Sequence, residues 1–95
     1  MGSTISLTCA DGTSIPAYVA APAATPRGGL VLLQEIFGVN THIRAVADSY
    51  AADGYLVVAP AMFHRVQAGV ELGYSPDDVA AGVALKARTE ALPPP

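Results

Sequence analysis

The chain has 95 residues, room for one small domain. With 52% hydrophobic and 14% charged residues it is globular material and not a disordered tail. A net charge of −3, with Arg27, Arg44, Arg65, Lys86 and Arg88 scattered along the chain, excludes the clustered basic footprint of a nucleic-acid binder.

No apolar run approaches the roughly 18 residues of a membrane span. MGSTISLTCADG lacks the basic region and apolar core of a secretion signal, so a cytoplasmic location is the default expectation. MGSTIS fits the loose myristoylation pattern, which in an otherwise enzyme-like chain is read as chance.

Residues 4–20 read as a hairpin. Ile5, Leu7 and Cys9 alternate with Thr4, Ser6 and Thr8, and Asp11-Gly12 turns the chain toward Ile15, Ala17 and Val19. Cys9 is the single cysteine, which excludes an internal disulfide. Its place in the alternating segment predicts a small half-buried core residue, and neither a base nor a helix start lies beside it to activate it as a nucleophile.

APAATPRGG is a loop, and residues 30–33 (LVLL) then read as a strand buried on both faces. That strand delivers Gln34 and Glu35 to a Phe-Gly bend. A helix is predicted over about 41–53, with Ile43, Val46, Ala47, Tyr50 and Ala51 at helical spacing. Asn40 or Thr41 caps its start and Gly54 suits its end. YLVVAP is a second apolar strand, so strand, helix and strand form a right-handed βαβ unit with parallel strands.

Residues 61–74 show no period and read as a long loop. Ser75 then caps a further helix, with Pro76 in its first turn and Asp77 and Asp78 at its positive end. This helix is predicted to run to about residue 91, to offer Val79, Val83 and Leu85 for burial, and to stop at Pro93-Pro94-Pro95. Parallel sheets are covered on both faces. Two parallel strands, two helices and a hairpin leave an open edge and one poorly covered face, so residues 1–95 read as the N-terminal portion of a larger α/β domain, incomplete at the C-terminus.

Ligands bind at the carboxyl ends of parallel strands, which favours Glu35 as a functional residue. A carboxylate that caps the following helix, or pairs with Arg44 or Arg65, stands beside that reading. Arg65, soon after the second parallel strand, can hold a carboxylate through two parallel hydrogen bonds; otherwise it is a solvated loop arginine. His42 and His64 are the only histidines and have no metal-ligand company, so no metal is expected. Gly38 follows no glycine-rich run and belongs to no phosphate loop. Neither Gly-x-Ser-x-Gly nor Gly-x-Cys-x-Gly occurs in the 95 residues.

LVLLQEIFGVN, YAADGYLVVAPAMFHR and GYSPDDVAAGVALK together resemble the N-terminal part of the dienelactone hydrolase family. The resemblance covers nearly the whole chain and implies an α/β-hydrolase-type three-layer sandwich. It implies hydrolysis of a lactone or ester bond through a covalent acyl-enzyme, without metal or organic cofactor. Glu35 would touch the nucleophilic cysteine and help generate its thiolate, and the Ile36 N–H would contribute to the oxyanion hole. Arg65 would bind a substrate carboxylate and Phe37 would wall the pocket.

The family's nucleophile, Asp and His follow the point where this chain ends, and none of His42, His64, Asp48 or Cys9 matches them. Residues 1–95 alone are therefore expected to be inactive, and a missing C-terminal half or self-association is expected to cover the open sheet. The rival reading is a non-catalytic βαβ module, or a decayed hydrolase fragment, acting through chain association.

Overall fold

An Asp-Gly pair bends the chain into its first hairpin. In a computed structural model, which describes residues 2–93, β1 (Gly2–Thr8) pairs antiparallel with β2 (Ser14–Ala20) from Gly2↔Ala20 to Thr8↔Ser14. Met1, Pro94 and Pro95 lie outside the described residues, and with them the start of the MGSTIS pattern and the end of the proline run. The Asp11 carboxylate accepts from both the amide and the hydroxyl of Thr13, at 2.9 and 2.6 Å, which fixes the turn. Cys9 is half-buried as expected but lies just past the ladder, its N–H bonded to the Thr13 carbonyl at 2.7 Å.

β3 (Gly28–Val31), α1 (Thr41–Ala52) and β4 (Tyr55–Pro60) form the βαβ unit, with β3 and β4 parallel. β4 also pairs antiparallel with β2, so the sheet order is β1-β2-β4-β3. Asn40 caps α1 through its side-chain oxygen, which accepts from Ile43 N–H at 3.1 Å. α2 (Pro76–Glu90) starts at Ser75, whose hydroxyl accepts from Asp78 N–H at 3.1 Å.

Directly paired residues share a face of the sheet. One face presents Ala20 and Val57 to α1, where they close a small core with Ala47 and Ala51, flanked by Tyr18, Leu32 and Tyr55. Small residues on both sides let α1 lie close to the sheet. The opposite face carries Ile5, Val31, Leu33 and Leu56, all exposed, with Val31 at 71% and Leu33 at 64%.

Residues 30–33 are thus not buried on both faces. The strand spans Gly28–Val31, every one of its residues is exposed, and Leu32 adds one more bond, N–H to the Val58 carbonyl at 2.9 Å. The reason is topological: β3 is an edge strand, and among the described residues no helix covers the second face. The second helix also departs from expectation. Leu85 is buried, but Val79 and Val83 are exposed, because α2 rests on the loops beyond the strand ends rather than on the sheet.

Candidate functional site

The loops at the carboxyl ends of β3 and β4 meet through one side chain. Gln34 accepts from the Met62 N–H at 2.9 Å and donates to the Glu35 carbonyl at 3.0 Å, so a single amide ties the two loops together. Beyond it the chain reverses in a tight bend, with Gly38 N–H on the Glu35 carbonyl at 3.3 Å. Gly38 holds φ +81°, and a Cβ there would collide with the Val70 carbonyl. The bend is braced from outside by Leu72 N–H on the Phe37 carbonyl at 2.8 Å.

α2 closes the other side. Gly82 is buried against the Ile36 carbonyl, where a Cβ would lie well inside van der Waals contact. Between them Leu33, Gln34, Glu35, Ile36, Met62, Phe63 and Lys86 line a largely apolar cleft of about 280 Å³.

Glu35 and Ile36 both line this cleft. Neither structural job open to the Glu35 carboxylate is its own. Asn40 caps α1, and Arg44 pairs with Glu71 at 2.7 Å while donating to the Val39 carbonyl. Among the described residues no cation pairs with Glu35, and no acceptor takes the Ile36 N–H.

Arg65 sits at the same end of the sheet but does not line the cleft. Its guanidinium donates to the Pro93 carbonyl at 2.8 Å, and its charge reaches the hairpin turn. There the Thr13 hydrogen bonds, with a smaller part from Arg65, hold the Asp11 carboxyl below its ordinary value. Phe37 turns away from the cleft and packs edge-on against Tyr74, ring centroids 4.4 Å apart. His42 is exposed on the first turn of α1, whereas the Nδ1 of half-buried His64 has no hydrogen-bond partner among the described residues. Among the described residues no three His, Cys, Asp or Glu side chains gather as metal ligands. No helix of the described residues is long and apolar enough to cross a membrane.

Three contributors escape a reading of the sequence. Gln34 gave one signal, an amide able to donate and accept at a strand end. Gly82 gave another, a glycine inside a helix, which costs about 0.5–1 kcal/mol relative to alanine and so marks a close approach. Lys86 gave none, since its place depends on how α2 docks.

Residues 15–92 match the family model described as "Dienelactone hydrolase family". A provisionally named carboxymethylenebutenolidase of Synechocystis sp. is 45% identical over 76 residues, covering 79% of this chain and 31% of that protein. The carboxymethylenebutenolidase of Pseudomonas putida is 37% identical over 68 residues, 72% of this chain and 29% of its own length. Among solved structures, a provisionally named dienelactone hydrolase of Klebsiella pneumoniae superposes with a TM-score of 0.63 at 27% identity, over 96% of this chain and 42% of that one. The chain thus spans less than a third of the length of these two curated relatives.

Proposed function

The chain belongs to the dienelactone hydrolase family, and we propose that it supplies one wall of a cofactor-free lactone or ester hydrolase site. The nucleophile, with its Asp and His, comes from residues outside this chain. Glu35 helps generate the nucleophile's thiolate, the competent form for attack. The thiolate attacks the lactone carbonyl, the ring C–O bond breaks as the leaving oxygen takes a proton, and water cleaves the thioester. The Ile36 N–H stabilises the oxyanion of the tetrahedral intermediates. Phe37 does not wall the pocket itself but braces the bend beside it, through its contact with Tyr74. Arg65 holds an anionic substrate group, giving up its Pro93 contact to do so.

The observation that carries this reading is that, among the described residues, an exposed carboxylate with no cation partner and a backbone N–H with no acceptor line one apolar cleft. The substrate class proposed is a small lactone or ester, carboxylate-bearing as in carboxymethylenebutenolide, and the reaction is cytoplasmic. The exposed face around Val31 and Leu33 favours a covering segment over that side, whether the nucleophile-bearing part or a second copy.

The test joins this chain to the remainder of the Synechocystis relative and compares it with a Glu35→Ala variant. The variant is expected to lose about 100-fold or more in kcat with its melting temperature kept, the scale of one positioned acid-base group. Full activity in that variant would overturn the assignment of Glu35.

A further inference from the structure

We propose that Asn40 is a positioning residue for the oxyanion hole; the inference rests on the hydrolase reading above and deepens it. Asn40 is the one buried polar side chain among the described residues, so an amide group left unpaired there would be costly. Its Oδ1 caps α1 by accepting from the Ile43 N–H. Its Nδ2 donates to the Leu72 carbonyl at 3.0 Å and to the Tyr74 hydroxyl oxygen at 3.3 Å. Turned over, the amide would set N–H against N–H and carbonyl against carbonyl, so the side chain has one workable orientation. A helix cap needs only the oxygen. The two donations serve something else.

Both donations end on the bend that carries Glu35 and Ile36. Leu72, held at its carbonyl by Asn40, donates its N–H to the Phe37 carbonyl, and the Tyr74 ring packs edge-on against the Phe37 ring. From Phe37 the connection runs through the backbone. The peptide unit joining Phe37 to Gly38 accepts from Leu72 at its carbonyl and donates from its N–H to the Glu35 carbonyl. The peptide unit joining Glu35 to Ile36 accepts that bond and, among the described residues, leaves the Ile36 N–H free at its other end. Every described peptide bond is trans, so N–H and C=O point opposite ways in each unit and the dipoles line up head to tail. Hydrogen bonds in such a chain polarise one another. The positive end of this chain is the donor that meets the oxyanion. Asn40 thus sets the direction of the Ile36 N–H and the alignment of the dipoles behind it.

The experiment uses carboxymethylenebutenolide and its methyl ester as probes, with the chain joined to the remainder of the Synechocystis relative. Asn40→Ser keeps an oxygen to cap α1 and removes both donations. It is expected to lower kcat about tenfold on both probes with KM kept within about twofold, short of the roughly 100-fold or more lost when an oxyanion donor is deleted outright. Tyr74→Phe keeps the ring contact and the Leu72 link, and should lower kcat about threefold, the scale of one neutral hydrogen bond. On the chain itself, amide exchange in Asn40→Ser should quicken at Gly38 and Leu72 while Ala47 and Ala51 in α1 keep their protection. An unchanged kcat in Asn40→Ser, or a loss carried by KM or by the acid alone, overturns the proposal. Exchange that quickens equally along α1 does the same, since Asn40 would then be a cap and nothing more. If Asn40→Ser does not fold, Tyr74→Phe decides, and an unchanged kcat there overturns the proposal. Glu35→Ala separates this result from the underlying reading, since loss of hydrolysis of both probes there upholds that reading whatever Asn40 does. A joined protein that hydrolyses neither probe overturns both.

Discussion

The two helices are held by different forces. α1 is seated by burial: Ala47 and Ala51 meet Ala20 and Val57 with almost no exposed surface. α2 has no such seat and is fixed at discrete points. Its first turn is anchored by the Ser75 cap and by Asp78, whose carboxylate accepts from Gly73 N–H at 2.8 Å. Its middle rests on the bend through Gly82, with Leu85 buried one turn on, and beyond its end Arg65 donates to the Pro93 carbonyl. Continuous burial makes α1 part of the framework, whereas point attachment leaves α2 with a cleft beneath it. The wall of the candidate site stands on the less firmly held of the two.

The largest test of that contrast is Ala47→Leu. Three added carbons at a fully buried position between α1 and the sheet should cost about 1–3 kcal/mol. The whole chain should melt earlier in one step, and loss confined to α1 in hydrogen exchange would contradict a shared core.

Gly82→Ala should cost less, about 1 kcal/mol net, because the clash with the Ile36 carbonyl is offset by better helix propensity. Exchange should rise along α2 and the 35–38 bend while the β2–β4 amides keep their protection. A stabilised variant would mean that α2 does not need its close approach.

Tyr18→Phe is the smallest. The Tyr18 hydroxyl donates to Asp48 at 2.6 Å, joining β2 to α1 on an accessible surface. That hydrogen bond, and then burial and the carboxylate's charge, raise the Tyr18 pKa above its ordinary value. The stabilisation is therefore complete below the tyrosine's unfolded pKa and disappears as pH rises through the folded one. At neutral pH the variant should lose about 0.5 kcal/mol or less after solvent screening. Denaturation curves of the two proteins should converge in strong alkali, and a constant gap would show that ionisation is not involved.

Much of this architecture is legible in the residue pattern because its causes are local. Asp11-Gly12 dictates a hairpin, Asn40 and Ser75 cap helices, and the apolar runs on either side of α1 dictate parallel pairing. The exposure of Leu30, Val31 and Leu33 is not legible, since an apolar run looks the same in a central strand and at an edge. The position of Glu35 at a strand end could be read from order alone. Its lack of a partner could not, because that depends on Arg44 choosing Glu71 across a loop of no period. Lys86 is the clearest gap: its neighbours on the sequence are helix surface, and only the docking of α2 brings it to the cleft.

The sheet order also sets a schedule for synthesis. β3 is made before α1 and β4, yet its strand partner is β4, and β2 likewise waits for β4 on its inner side. Until residues 55–60 have left the ribosome, Leu30 to Leu33 travel as an unpaired apolar stretch beside a lone hairpin, and lone hairpins are marginal in water. At roughly 5–20 residues per second this exposure lasts for seconds, the interval in which a nascent-chain chaperone has the most to protect. Synonymous slow codons between positions 34 and 54 would lengthen it, and the yield of folded chain should fall with each added pause.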